Sequence, residues 1–371
     1  MERKKVFFVL HYLAGGGTER VVVRILHSLD RARFHPFLVV FQKKGVFLSE
    51  LPQDVQVFDL DRYGSGGRFV WIYRFAKLIR KENPDMLFSF LWFVNLVAIV
   101  ARFLSRVRCR LVVSERVSID GAREGYLEDM LRRAGIFLLY SSADRIVPNS
   151  VWMGKQLVDR FGIPPRKVVA IPNPVDIDRI EARAREAKPV IAEESTMPLV
   201  IGMGRLTPQK GFDLLIRSMT FSRFPFRLVL IGEGEDQDRL QALSLKLGVT
   251  DRVVFTGFQT NPYPSLARAA VFALSSRFEG FPNALVEAMT LGIPCVSTRC
   301  PTGPEEIITD GVDGLLVPVE DSRALAGAID RLLSDEKLRK KIGLAGRERV
   351  REFDVPRIMR RFESLIEEAI T

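Results

Sequence analysis

Short β-branched runs followed by longer stretches of helical periodicity alternate along the whole chain, and the alternation comes in two rounds. Strands are predicted at Val6 to Leu10, Pro36 to Phe41, Val55 to Leu60, Met86 to Phe90, Arg110 to Val113 and Arg145 to Pro148. They recur at Leu199 to Gly204, Arg227 to Ile231, Val253 to Thr256, Val271 to Ser275, Pro294 to Ser297 and Gly314 to Val317. Strand–helix alternation of this kind implies parallel sheets, because a parallel pair needs a crossover of about a dozen residues, usually a helix. A single hydrophobic core stops growing near ~250–300 residues, so a chain of 371 residues built this way divides in two. The stretch Pro172 to Pro198 holds four prolines around the charged run Asp176 to Lys188 and is the expected linker. The predicted fold class is therefore α/β: Rossmann-like domains at residues 1–175 and 199–353, a linker at 176–198, and a cleft where the carboxyl ends of the two sheets face each other.

Composition removes several classes. The chain is 47% apolar and 27% charged, which excludes disordered and fibrous proteins. Cys109, Cys295 and Cys300 are too few and too scattered for a disulfide framework or a zinc site, and a reduced, cytoplasmic compartment is expected. The apolar run Val6 to Leu10 is too short for a signal peptide. Met86 to Ala101 is interrupted by Ser89 and Asn95, short of the ~20 residues of a spanning helix. Charge is uneven: residues 1–180 carry 29 Lys and Arg against 18 Asp and Glu, and the remainder 26 against 27. The first half is expected to meet an anionic partner, with plain solubility as the competing reading.

The strand-to-helix junctions hold the chemistry. After Leu10 the chain passes through Gly15-Gly16-Gly17, and Thr18 is placed to cap a helix Glu19 to Leu29. Glycines let a ligand approach bare backbone and a helix start attracts anions, so a phosphate or sugar contact competes here with a tight turn. The run is neither G-x-G-x-x-G nor a P-loop. At the equivalent place in the second half, Gly204-Arg205-Leu206-Thr207-Pro208-Gln209-Lys210-Gly211 projects a guanidinium fork and a point charge, a pair that suits a diphosphate unless both are surface cations. Next comes Arg277-Phe278-Glu279-Gly280-Phe281-Pro282-Asn283, then a helix with Ala284, Leu285, Val286 and Glu287. Glu279 lies on the loop and Glu287 one turn into an apolar helix, where a carboxylate wants a donor pair such as a ribose cis-diol, or an Arg. The N–H groups around Asn283, Ala284 and Leu285 open that helix and form a second anion site.

These residues carry a family resemblance: Gly15-Gly16-Gly17-Thr18-Glu19-Arg20, Gly204-Arg205-Leu206-(x)3-Lys210-Gly211, Glu279-(x)7-Glu287, and Gly311-(x)2-Gly314-Leu315-Leu316-Val317-Pro318. Over nearly its whole length the chain resembles retaining glycosyltransferases of the GT4 family, with the GT-B fold, of the kind that builds bacterial surface polysaccharides and lipid-linked glycans. The resemblance implies a nucleotide-diphospho-sugar donor, preferably a UDP-sugar, held mainly by the second domain, and a glycan or lipid-linked acceptor held by the first. It makes Arg205, Lys210 and Glu279 the catalytic set. The first two neutralise the departing diphosphate, and Glu279 with the backbone of Gly280, Phe281, Pro282 and Asn283 addresses the sugar. Glu287 takes the ribose, Ala284 and Leu285 lie at the diphosphate, Gly232 and Phe258 lie near the base, and Gly16 and Gly17 complete the donor site. No cofactor or metal is required, since the cations and helix N–H groups already stabilise the leaving group. The final helix, within residues 354–371, is expected to pack on the first domain through Phe362, Leu365 and Ile366.

One departure stands out. Many relatives of this kind carry a histidine after the strand ending near Val113, where this chain reads Ser114-Glu115-Arg116, so either Ser114 or Glu115 or backbone carbonyls take over its positioning role. Ser114 and Glu115 are the acceptor-side candidates, with Glu115 as a structural partner of Arg116 the competing reading. Two D-x-D matches, Asp59-Leu60-Asp61 and Asp176-Ile177-Asp178, lie away from the diphosphate residues and are discounted as metal ligands. An inactive nucleotide-sugar sensor of the same fold is the alternative function, and nucleic acid is excluded for want of a recognised motif. Arg68, Arg74, Lys77, Arg80 and Lys81, interleaved with Phe69, Trp71, Ile72 and Tyr73 without an acid, predict peripheral docking on an anionic inner membrane face. The competing reading packs the apolar side of this helix on the sheet.

Overall fold

The computed structural model describes residues 3–14, 16–61, 68–117, 126–186, 190 and 197–370. It consists of two units, Met1–Pro174 with Val355–Thr371, and Val175–Asp354. The first holds β1 (Lys4–Leu10), β2 (Phe34–Val40), β3 (Gln56–Asp59), β4 (Met86–Phe90), β5 (Arg110–Glu115) and β6 (Arg145–Pro148). The second holds β7 (Leu199–Met203), β8 (Arg227–Ile231), β9 (Val253–Phe255), β10 (Val271–Leu274), β11 (Cys295–Thr298) and β12 (Leu315–Val317).

All pairings are parallel. The first sheet is ordered β3-β2-β1-β4-β5-β6 and the second β12-β11-β10-β7-β8-β9. Traced from β9, the second has the same order as the first, so each sheet reverses direction once, between β1 and β4 and between β7 and β10. Open α/β sheets bind ligands at such a reversal, beyond the carboxyl ends of the strands.

The inner strands read as largely apolar runs because both faces of each sheet are covered, whereas the edge strand β3 is only partly buried. In the first unit one face buries Phe8, Phe88, Phe90 and Val112, and the other Phe7, Val9, Leu87 and Val113. The second unit repeats this with Ile201, Val229 and Phe272 on one face and Val200, Leu228 and Leu230 on the other. The last helix, Val355–Ile370, belongs to the first core: Ile358, Phe362, Leu365 and Ile366 are buried there, and Glu363 accepts from the Asp30 N–H at 2.9 Å.

The stretch 176–198 is not a linker throughout. Ile177–Glu186 forms a helix whose Ile180 is buried in the second core, whose Glu181 pairs with Arg347 at 2.5 Å and whose Arg183 donates to the Thr260 carbonyl at 2.9 Å. The apolar spacing of Ile177, Ile180 and Ala184 is what packs this helix, and the surrounding charges hide it in the sequence. Among the described residues, no helix is long and apolar enough to cross a membrane.

Candidate functional site

At the reversal of the second sheet, two junctions meet: the one after β7, carrying Arg205 and Lys210, and the one after β10, carrying Glu279. Backbone bonds stitch them together. The Arg277 N–H donates to the Gln209 carbonyl at 2.8 Å, Gln209 Nε2 to the Phe278 carbonyl at 2.9 Å, and Ser275 Oγ to the Lys210 carbonyl at 2.9 Å. Gly211, at φ +61°, has to be glycine because a Cβ there would run into the Ser275 carbonyl oxygen. Gly232, at φ +139°, lets the end of β8 close onto the Gly204 carbonyl in the same way, and its N–H donates to Gly257 at 2.9 Å.

Within this frame Lys210 Nζ stands 2.6 Å from Glu279 Oε1, which also accepts from Ser276 Oγ at 2.6 Å. Glu279 is buried, and its backbone carbonyl accepts from the Thr302 hydroxyl. Neither competing reading describes this pair: Lys210 is no free surface cation, and the partner of Glu279 is Lys210 rather than an Arg. Arg205 differs. It is exposed and among the described residues makes no ion pair. Arg277 is taken up elsewhere, bonding Asp213 through both terminal nitrogens at 2.8 and 2.9 Å and Glu320 at 2.5 Å. Although burial raises Asp213, the Arg277 bonds hold it below the usual carboxylate range.

Gly280, Phe281 and Pro282 are buried, and Phe281 packs edge-on against Phe353 with ring centroids 5.4 Å apart. The helix Asn283–Thr290 follows, capped by Pro282 without a side-chain bond. Leu285 does not offer a free N–H: it donates to the Pro282 carbonyl at 3.0 Å, closing a tight first turn. The Ala284 N–H makes no such bond among the described residues, so of these two N–H groups expected to meet an anion it is the one not taken up by the backbone. Glu287 is buried in this helix, 3.5 Å from the Tyr263 hydroxyl. Phe258 is half exposed beyond β9. The sequence reading missed Ser276 and the Thr302-Gly303 turn that presses on this loop, where a Cβ on Gly303 would meet Pro282 Cδ at 2.5 Å. The run Pro301-Thr302-Gly303-Pro304 has turn-forming composition and is the available signal, but nothing in it names the partner of the turn. Burial pushes the nearby Cys300 thiol up to about 12, leaving no thiolate nucleophile beside Glu279 at neutral pH.

A family model described as Glycosyl transferases group 1 matches residues 184–349, and one described as Glycosyltransferase Family 4 matches residues 15–179. Over 366 residues, 96% of this chain and 98% of the relative, the sequence is 30% identical to an N-acetylgalactosamine-N,N'-diacetylbacillosaminyl-diphospho-undecaprenol 4-alpha-N-acetylgalactosaminyltransferase of Campylobacter jejuni. The chain belongs to glycosyltransferase family 4. It is also 35% identical to the lipopolysaccharide core biosynthesis glycosyltransferase LpsE of Rhizobium meliloti, over 91% of this chain and 92% of LpsE. Among solved structures, Anabaena Alr3699/HepE in complex with UDP and glucose superposes with a TM-score of 0.82 at 22% identity, covering 99% of this chain and all of that one. The glycosyltransferase therefore has the GT-B fold.

The first unit of the glycosyltransferase departs further from its sequence reading. Gly15 lies outside the described residues. Gly16 caps the helix Gly17–Ser28, so Gly17 and Thr18 lie inside its first turn and Thr18 does not cap it. Glu19 is buried in that turn with its carboxylate against Gly16. An acid there satisfies the positive end of the helix and disfavours a phosphate, which leaves the sugar contact and the tight turn as the two readings of these glycines.

Ser114 and Glu115 are fully enclosed. Ser114 Oγ donates to the Val147 carbonyl at 2.7 Å. Glu115 accepts from the Tyr140 hydroxyl, from Asn95 Nδ2 at 3.3 Å and from Arg132 at 3.3 Å, and burial together with the Glu115 charge holds the Tyr140 phenol protonated. Strand alternation turns Glu115 into this knot and Arg116 to the other face, so among the described residues the two share no hydrogen bond and Glu115 acts on Arg116 only through its charge.

Proposed function

We propose that the enzyme transfers a sugar from a UDP-hexose or UDP-N-acetylhexosamine to a glycan or lipid-linked acceptor, with retention of anomeric configuration and without a metal ion. The observation that carries this is the Lys210–Glu279 pair fixed at the reversal of the second sheet, with exposed Arg205 on the same junction and the Ala284 N–H at a helix start. As the anomeric C–O bond breaks, negative charge grows on the β-phosphate oxygen. Arg205 and Lys210 neutralise it, and the new C–O bond forms to an acceptor hydroxyl whose proton leaves with the diphosphate. Glu279 holds a sugar hydroxyl while sharing Lys210, Glu287 takes the ribose diol, and Phe258 lies against the base. The names of the Campylobacter and Rhizobium relatives support the acceptor class, and the Anabaena complex supports UDP.

The acceptor class also suggests where the first unit rests: peripherally, on an anionic membrane face. Phe69, Tyr73, Lys77 and Arg80 form one outward stripe of the helix Arg68–Glu82, Phe69 being 88% exposed. Beside it Tyr73, Ala76, Arg80, Phe103, Leu104 and Arg106 line an open cavity of about 750 Å³. Trp71 and Ile72, by contrast, pack inward.

Following the anomeric proton of the product by NMR tests the reaction. An α-linked donor should give an α-linked product. An inverted product overturns the mechanism, and donor binding without turnover on any diphospho-polyprenyl acceptor supports the inactive sensor instead.

A further inference from the structure

Arg116 follows directly on β5, with Phe90 ending β4 and Asn149 following β6, so it stands at the carboxyl ends of three adjacent strands of the first sheet. It is 5% exposed, and its guanidinium lies over the rings of Phe90 and Phe362 at 5.3 and 5.8 Å. Its Nη1 donates to Asn173 Oδ1 at 2.7 Å, while Nε and Nη2 are buried and, among the described residues, donate to nothing. Those two nitrogens form one edge of the guanidinium, the edge that takes two oxygens of a phosphate or carboxylate in parallel. Asn149, whose Nδ2 donates to the Arg116 carbonyl at 3.3 Å, has a buried Oδ1 that likewise accepts nothing among the described residues.

Charge leads to the same place. Glu115, its chain neighbour, is committed to Tyr140, Asn95 and Arg132, and among the described residues no carboxylate pairs with Arg116. Burial pulls the guanidinium down to about 9, which still leaves it charged at neutral pH. Its neighbour Glu115 offsets part of that burial through charge alone, but a buried cation without a hydrogen-bonded anion is still costly, and a water would satisfy its N–H groups without balancing the rest of its charge. An anion does both, and a hydroxyl beside that anion would satisfy Asn149.

We propose that the Nε–Nη2 edge of Arg116, with Asn149 beside it, receives a phosphoryl group of the acceptor. The inference rests on the glycosyltransferase reading above and adds an anion site in the first unit, separate from Arg205 and Lys210. The donor diphosphate offers the same chemistry, so the test separates the two sources.

The full-length enzyme is labelled with [15N]arginine, and the Arg116 Nε–H signal is assigned by its disappearance in Arg116→Lys, with thermal melting confirming that the variant folds. Inorganic pyrophosphate is titrated into wild-type enzyme already saturated with UDP. A saturable shift of the Arg116 signal supports the acceptor-side site. Arg116→Lys should then bind pyrophosphate about 10- to 100-fold more weakly, the scale of a lost charge-assisted bond pair, with UDP affinity unchanged. A signal that moves with UDP alone assigns the residue to the donor and overturns the proposal, as does one that moves with neither. UDP binding, read in the same samples by thermal shift, reports separately on the donor site. If it is normal while Arg116 is silent, only the anion site fails; if UDP does not bind at all, the underlying reading fails.

Discussion

The two sheets share one strand order and differ in what they hold at the point of reversal. Between β7 and β10 the junctions carry charge, Lys210 on Glu279 at 2.6 Å, braced by backbone bonds and by glycines that nothing larger could replace. Near the end of β1 the first unit gathers rings: His11 lies within 4.7 to 6.1 Å of Tyr12, Trp71, Phe41 and Phe93, centroid to centroid. On the function proposed, a centre that stabilises a diphosphate needs fixed charges held in a rigid frame. A surface that takes an acceptor needs shape, and many arrangements of rings and cations can supply it.

The sharpest way to break this comparison is to remove one charge at a time from the second unit. Arg205→Ala and Lys210→Ala should each lower turnover by at least ~100-fold, the effect of removing one donor to a developing oxyanion. Their stabilities should differ. Lys210→Ala strands a buried carboxylate and should destabilise the fold by about 3 kcal/mol, the low end for breaking a buried pair because Lys210 keeps some solvent contact. Exposed Arg205 should melt as wild type. Lys210→Ala with Glu279→Gln should regain the stability without the turnover, as read by thermal denaturation and initial rates. Equal melting of the two single variants would mean that the pair at Lys210 contributes nothing to the frame. Turnover should also persist in excess EDTA if, as proposed, the leaving group is served by cations and N–H groups; activity lost to EDTA and restored by Mg²⁺ or Mn²⁺ contradicts that.

A smaller effect is expected on membranes. Reversing Lys77, Lys81 and Arg106 to Glu should abolish sedimentation with anionic liposomes, since each basic residue near such a leaflet contributes roughly 1 kcal/mol. Arg74 and Arg80 are unsuitable for this test because they already bind carbonyls, Arg74 that of Leu60 and Arg80 those of Leu104 and Ser105. Binding should weaken in high salt and leave UDP affinity intact. Equal partition onto neutral and anionic vesicles would reduce the basic first half to a solubilising surface.

What was legible follows from how each feature is encoded. All twelve strands appear in the sequence because each carries a short apolar stretch, even β3, where Val57 and Phe58 stand between Gln56 and Asp59. Arg205, Lys210, Glu279 and Glu287 stand out because charge beside apolar strands and helices is conspicuous. The reading missed what depends on which way a side chain turns. Ser114 and Glu115 look like ligand contacts because they end a strand, yet alternation buries both and turns Arg116 the other way. The bond that Leu285 makes back to Pro282 and the Thr302 hydroxyl on Glu279 are tertiary facts that no spacing encodes. The helix Ile177–Glu186 was concealed by its own charges.

The smallest effect concerns acid. All three histidines, His11, His27 and His35, lie in the first unit and none in the second. Burial, with Lys44 adding to it, lowers the pKa of His11, and burial with nearby Arg3 and Lys5 lowers that of His35. Both therefore stay neutral in the fold at a pH where the unfolded chain has begun to bind protons. Their contribution to stability is fully present above the unfolded value near 6.5 and is lost as pH falls toward the lower folded values. Urea denaturation at pH 7.5 and 5.5 should accordingly show a lower midpoint at pH 5.5, with hydrogen exchange quickening in β1 and β2 before β7 and β8. His11→Phe keeps a ring among Tyr12, Trp71 and Phe93 and removes the titration, so it should flatten the pH dependence. If it leaves the slope intact and His35→Phe does so too, the acid response arises from carboxylates, and the aromatic site of the first unit is no more sensitive to protons than the charged site of the second.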